Sequence, residues 1–173
     1  MIIMFVRHAE AKNDKLTKLG KIQCRLAVKQ KDKIKFEKIY CSPANRCVKT
    51  ARYFQNKYKL PAEICENLAE RQLLVDAVPQ NDNEQEWYDN YMNPLYENDL
   101  PEGCKNYLTR SFVEFKRIVD ENIKTNTNVI IVAHSCTIYA LSAFIYGIEK
   151  DKNIQWMRVG NCSKVYYDIH EKD

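Results

Sequence analysis

Residues 128–135 read Asn-Val-Ile-Ile-Val-Ala-His-Ser: four β-branched residues in an unbroken run, followed at once by alanine, histidine and serine. A strand with one face in water alternates apolar with polar residues, whereas an unbroken run belongs to a strand covered on both faces, as in a parallel sheet flanked by helices. Downstream the spacing predicts a helix over Cys136–Tyr146, and upstream a long one over about Asn106–Lys124. The N-terminal part reads as a strand at Ile2–Val6, a helix over about Thr17–Gln30 with Leu19, Ile22 and Leu26 at helical spacing, and a strand at Lys38–Cys41. A helix over about Pro43–Tyr58 and a short strand near Ala62–Cys65 complete a β-α-β-α-β order. The tail, Val159–Ile169, carries Val165-Tyr166-Tyr167 and adds a last strand at or near an edge. Such alternation predicts an α/β fold, a single-domain three-layer α/β/α arrangement around a mostly parallel open sheet.

Composition bounds this reading. A chain of 173 residues favours one domain, 1–173, and leaves little room for a second. The longest mostly apolar stretch, Ile138–Ile148, is broken by Ser142 and Gly147 and falls short of the ~20 residues a membrane span needs. The N-terminus lacks a leading basic region and a small-residue cleavage site, so it reads as a first strand and not as a secretion signal. Seven cysteines without a C-x-x-C pair fit a reducing, cytoplasmic setting. His134 and Cys136 have no second ligand pair at metal spacing, so neither a metal nor another cofactor is expected. Ten basic and three acidic residues fall between Lys12 and Lys38, against one basic and eleven acidic between Glu63 and Glu102. The basic run lacks the aromatic or glycine signatures of a nucleic-acid binder and reads as a solvated lysine-rich helix face. The polar, acidic and aromatic stretch from about 71 to 105, with at most a short helix around Glu84–Tyr91, reads as a lid or substrate-loop insertion. Its Trp87, Tyr88 and Tyr91 either stack on a ring-bearing substrate or pack against the sheet edge, the second being the ordinary use.

In an open α/β sheet, ligands sit outside the carboxyl ends of the strands, so the residues directly after each apolar run are the candidates for chemistry. Arg7 and His8 follow the first strand, Ser42, Pro43 and Arg46 the second, and His134 and Ser135 the late one, where they open a helix. Two histidines and two arginines at one edge, with helix N-termini among them, describe a pocket for a dianionic oxyanion such as a phosphoryl group. A single histidine at a strand end is usually a hydrogen-bonded structural residue. His8 and His134, however, are two of only three in the chain, and His170 lies in the polar tail without a role. Asn13, Thr17 and Ser42 are possible phosphate donors by position, each as readily a helix cap or turn residue. Cys41 and Cys47 read as small core fillers, close enough to the pocket for oxidation to affect it.

Arg7-His8-Ala9-Glu10 resembles the R-H-G signature of the histidine phosphatase superfamily, which includes the cofactor-dependent phosphoglycerate mutases and many small phosphatases. Leu16-Thr17-Lys18-Leu19-Gly20 with Gln23 is similar to its L-T-x-x-G-x-x-Q element, and Ser42-Pro43-Ala44-Asn45-Arg46-Cys47-Val48-Lys49-Thr50-Ala51 to its S-P-x-x-R-x-x-x-T-A helix. Leu68-Ala69-Glu70 resembles L-x-E, and Val132-Ala133-His134-Ser135 resembles V-x-H-G. The chain departs from the pattern at Ala9 and Ser135, where glycine is usual, and at Cys104, where a segment opening Pro101-Glu102-Gly103 lacks its acid.

The resemblance implies a phosphoglycerate mutase-like fold and a histidine acid phosphatase-type phosphomonoesterase, a hydrolase that acts on a small phosphorylated metabolite without metal. His8 would be the nucleophile, and Arg7, Arg46 and His134 would bind the phosphoryl oxygens, with Ser135 capping its helix or donating as well. Glu70 would protonate the leaving oxygen and then activate water, a dual role needing a raised pKa; neighbouring Arg71 and Asp76 leave the identity of the acid open. Two alternatives stand beside this reading. One is mutase-type phosphotransfer, for which the chain is short by the family's standard. The other is a non-catalytic phospho-ligand binding module, which would need the arginines but no acid.

Overall fold

The computed structural model describes residues 1–31, 33–71, 104–147 and 159–170. The strands are β1 (Ile2–Arg7), β2 (Ala11–Lys12), β3 (Lys15–Leu16), β4 (Lys38–Cys41), β5 (Ala62–Ile64), β6 (Val129–Ala133) and β7 (Lys164–Asp168). The α-helices are α1 (Lys18–Lys29), α2 (Asn45–Tyr58), α3 (Cys104–Asn122) and α4 (Ser135–Ile145). Five strands form one sheet in the order β5-β4-β6-β1-β7. The apolar run that opened the sequence reading is its centre. β6 pairs in parallel with β1, from Ile3↔Val129 to Arg7↔Ala133, and with β4, from Lys38↔Val129 to Cys41↔Val132. β5 joins β4 in parallel, and β7 closes the far edge against β1 as the one antiparallel strand of this sheet. The fold is therefore the mostly parallel α/β class expected, with the tail strand at an edge.

Alternation along the strands builds two cores, because successive side chains leave opposite faces. Ile3 and Phe5, Tyr40, and Val129 and Ile131 pack with Phe115 and Ile118 of α3 and Ile138 and Leu141 of α4. Met4 and Val6, Ile39 and Cys41, and Ile130 and Val132 face the other way, onto Cys24 and Ala27 of α1 and Cys47, Ala51 and Phe54 of α2. All five residues of β6 are buried, as its composition requires.

Three features differ from the sequence reading. First, the buried face of α1 is Gly20, Cys24 and Ala27, while Leu19, Ile22 and Leu26 are 50%, 48% and 58% exposed. The helix lies so close to the preceding segment that a Cβ at Gly20 would stand 2.1 Å from the Glu10 carbonyl oxygen, so only small residues fit that face. Second, β2 and β3 form an unpredicted hairpin. It turns at Asn13 and Asp14, whose φ values of 49° and 58° fall in the left-handed region these two residue types tolerate. Third, a single 3-10 turn, Glu66–Leu68, leads into Glu70. The expected insertion at about 71–105, its short helix, Asp76, and the Trp87, Tyr88 and Tyr91 group lie outside the described residues, apart from Arg71 and the start of α3. Among the described residues, no helix is long and apolar enough to cross a membrane. Six described cysteines are buried and free.

Candidate active site

The parallel pairing collects the site. Because β1 and β6 run side by side with Arg7 opposite Ala133, the next residue of each strand is a histidine at the same edge. The His8 backbone N–H donates to the Ala133 carbonyl at 2.9 Å, and the two imidazole rings stand edge to face with centroids 5.3 Å apart. On the other side of β6, β4 delivers Ser42, whose N–H donates to the Val132 carbonyl at 3.0 Å and whose Oγ lies 2.7 Å from His134 Nε2. α2 starts three residues later, and Arg46 reaches back from its first turn.

His8 Nδ1 lies 2.9 Å from the Ala9 carbonyl oxygen. A carbonyl only accepts, so Nδ1 carries the proton and the lone pair of the neutral ring is on Nε2. Burial, at 9% exposure, pushes the His8 pKa down to about 4; the Ala9 bond and Glu70 oppose this, and His134 and Arg46 reinforce it. The loop that carries the ring is held at each backbone group. Ala9 N–H donates to Thr50 Oγ1 at 3.0 Å, Glu10 N–H donates to Gln23 Oε1 at 2.8 Å, and the His8 carbonyl accepts from Cys162 N–H and Asn161 Nδ2, each at 3.3 Å.

Arg46 is the hub. Its Nε donates to His8 Nε2 at 3.3 Å, Nη1 to Asp14 Oδ1 at 2.9 Å and Nη2 to Glu70 Oε2 at 2.9 Å, with His134 Nδ1 3.2 Å from Nη2. Glu70 Oε2 is also 3.3 Å from His134 Nδ1. Desolvation alone would raise the Glu70 pKa, yet His134 and Arg46 together draw it down to about 2. The raised pKa expected for an acid at this position is therefore not found. The nearest fixed charge is the Arg46 guanidinium, which favours the carboxylate.

The other candidates divide. Arg7 Nη1 donates to the Val159 carbonyl at 2.5 Å, and Val159 N–H donates to Ser135 Oγ at 3.4 Å, so Arg7 and Ser135 meet across one backbone unit at the start of α4. Thr17 is the N-cap of α1: its Oγ1 accepts from Gly20 N–H at 3.0 Å and donates to Glu10 Oε1 at 2.6 Å. Asn13 is a turn residue of the hairpin. The cluster also includes two residues given no role from sequence, Asp14 and Thr50. Thr50 Oγ1 donates to the Arg46 carbonyl at 2.8 Å while it accepts from Ala9, tying the loop that carries His8 to α2. Cys47 Sγ lies 3.6 Å from His134 Nε2, but burial raises its pKa well above the usual thiol value and takes that of Cys41 up to about 12. Burial thus disfavours the reactive thiolate at both positions.

One group of metal-type ligands is present among the described residues. His8, Glu70 and His134 offer atoms within 4.8 Å of one another. Arg46 already donates to His8 and Glu70 and lies against His134, so a fixed cation takes up the lone pairs a metal ion would need. The residues do not fit a metal centre, and they do fit a site built to surround an anion with donors.

The sequence matches the profile of the histidine phosphatase superfamily (branch 1) over residues 3–173, and the chain belongs to that superfamily. No curated protein matches it. Solved structures share the fold. A mycobacterial glucosyl-3-phosphoglycerate phosphatase superposes with a TM-score of 0.79 at 18% identity, over 95% of this chain and 88% of that one. The Bacillus stearothermophilus protein YhfR gives 0.79 at 20% identity, over 97% and 91%. The alpha-ribazole phosphatase of Shigella flexneri gives 0.78 at 21%, over 99% and 92%.

Proposed function

We propose that this chain is a metal-independent phosphatase that hydrolyses a small phosphomonoester through a phosphohistidine on His8. The observation that carries the reading is the state of His8: a neutral imidazole, its tautomer set by Ala9, with the Nε2 lone pair facing Arg46 among strand-end donors. Two of the structural neighbours are phosphatases named for small metabolites, which supports the class of reaction.

In this reading, Arg46, Arg7, His134 and the N-terminus of α4 with Ser135 take the phosphoryl oxygens, and His8 Nε2 attacks phosphorus as the ester P–O bond breaks. The leaving oxygen takes a proton from the Glu70 carboxyl group. Arg46 and His134 favour the Glu70 carboxylate, but a bound phosphoryl group competes for both and adds negative charge beside it, which raises its proton affinity. A substrate entering as the monoanion brings the proton needed. Glu70, then a carboxylate, takes a proton from water; the oxygen attacks phosphorus, the P–N bond breaks, and His8 and inorganic phosphate are released.

The test is release of phosphate from an aryl phosphate with chelator present, for wild type and His8→Ala. Activity that survives chelation and is lost in the variant is the expected result. Efficient 3-phosphoglycerate/2-phosphoglycerate interconversion without phosphate release would replace this reading by a mutase. A wild type that binds inorganic phosphate without turnover would replace it by a binding module.

A further inference from the structure

α2 has no side-chain cap of its own, since Ala44 occupies the N-cap position. The cap comes from another element. From the turn of the β2–β3 hairpin, Asp14 Oδ2 accepts from Asn45 N–H at 3.0 Å and Oδ1 from Arg46 N–H at 3.1 Å, while its main-chain carbonyl accepts from Asn45 Nδ2 at 2.7 Å. The same Oδ1 accepts from Arg46 Nη1 at 2.9 Å. One carboxylate oxygen thus holds both the backbone and the guanidinium of a single arginine. Glu70 holds the opposite nitrogen, Nη2, also at 2.9 Å. A planar group fixed at both ends has its plane fixed, and the third edge, Nε–H, then faces His8 Nε2.

We propose that Asp14 is a positioning residue for phosphoryl transfer, setting the plane of Arg46 against the nucleophile through a hairpin clipped onto the start of α2. The inference rests on the phosphatase reading of His8 and Arg46. Its physical basis is that a guanidinium binds phosphoryl oxygens through a rigid fork, so the angle of the fork decides how many donors reach the transferring group. Stability is a poor reason for this carboxylate. Its side chain is 44% exposed, where an ion pair contributes little, and its charge opposes an incoming dianion. A neutral amide would keep one of the two backbone acceptors at the start of α2. What Asp14 adds beyond the cap is one oxygen that holds Nη1 as well as the Arg46 N–H.

The experiment compares aryl phosphate hydrolysis, inorganic phosphate binding and thermal melting for wild type, Asp14→Ala, Asp14→Asn and Asp14→Ala with Ala44→Ser. Asp14→Ala frees the fork and is expected to lower kcat/KM on the order of 10- to 100-fold, chiefly in kcat, and to weaken phosphate binding. Asp14→Asn keeps an oxygen for both Arg46 groups and removes the opposing charge, so it recovers most of kcat with a lower KM and tighter phosphate binding. The double variant restores a cap to α2 without touching Nη1, and it is expected to recover melting temperature but not kcat. Recovery of kcat in the double variant, or unchanged kcat and phosphate binding in Asp14→Ala, would overturn the proposal and leave Asp14 a helix cap. If wild type releases no phosphate, the phosphatase reading fails separately. Phosphate binding then decides the point: weakening in Asp14→Ala with retention in Asp14→Asn sustains the positioning role, and equal binding in all variants removes it.

Discussion

His8 departs from an ordinary histidine in one respect that can be measured. Its pKa is depressed to about 4, so the folded protein resists a proton that the unfolded chain accepts near 6.5. The unfolded state therefore binds more protons between those values, and stability falls as pH drops from about 6.5 to about 4, by roughly 3 kcal/mol for this group. Glu70, depressed from 4.5 to about 2, adds a loss of the same sign, starting near pH 4.5 and continuing as pH falls towards about 2. Denaturant titrations at pH 7, 5 and 4 check this: the midpoint is expected to fall in that order for wild type, and the fall between pH 7 and 5 to shrink in His8→Ala. Glu70 has a kinetic signature as well. An aryl leaving group departs without a proton and an alkyl one does not, so Glu70→Gln should slow hydrolysis of glycerol phosphate by about 10²- to 10⁴-fold and formation of the phosphoenzyme from an aryl phosphate far less. Similar losses in both steps would remove Glu70 from the role of acid. His8 was legible because it directly follows a strand that its apolar run locates, whereas Glu70 was reached only through the L-x-E resemblance, since it follows a 3-10 turn too short to show a period. Asp14 was not legible, because its contact with Arg46 spans a hairpin of two-residue strands, too short to show any period. The low Glu70 pKa is not legible in the sequence for a related reason: the groups that set it, Arg46 and His134, reach it from α2 and the end of β6.

At the scale of elements, α1 shows how a correct helix can be oriented wrongly from sequence. Leu19, Ile22 and Leu26 have the spacing of a buried stripe, yet the close approach of Gly20 to Glu10 turns the helix and leaves them half exposed. The same approach sets the loop that carries His8, since Glu10 follows Ala9 directly and is held by Gln23 and Thr17 of the α1 region. Gly20→Ala would drive a methyl group into a backbone oxygen, with an expected cost of about 1–3 kcal/mol, read as a lower melting temperature, and a loss of kcat through His8. Thr17→Ala removes the cap and is expected to cost about 1 kcal/mol while leaving most of the activity in the fraction that remains folded. A greater loss of activity in Thr17→Ala than in Gly20→Ala would instead mark the Thr17 hydroxyl as a phosphate ligand. The strands were easier to read. β6 is apolar throughout because both faces are covered, and the ends of β1, β4 and β6 follow from where their apolar runs stop.

For the whole molecule, the sheet order explains why residues from distant parts of the chain act together. Parallel pairing of β1 and β4 on either side of β6 brings His8, Ser42 and His134 to one edge, and α2 and the turn after β5 return Arg46 and Glu70 to it. Of these, His8, Glu70 and His134 all lie against the Arg46 guanidinium, a fixed cation among their lone pairs. Chelators and added divalent cations are therefore both expected to leave the rate unchanged; metal-dependent turnover would mean that Arg46 vacates the site. The direct test of the whole account is the covalent state of the protein during turnover. Glu70→Gln mixed with an aryl phosphate and quenched in denaturant at alkaline pH should carry the mass of one phosphoryl group, acid-labile, located on His8 by peptide mapping and absent from His8→Ala. Active wild type with no such adduct in either protein, or with the phosphoryl group on another residue, would contradict it.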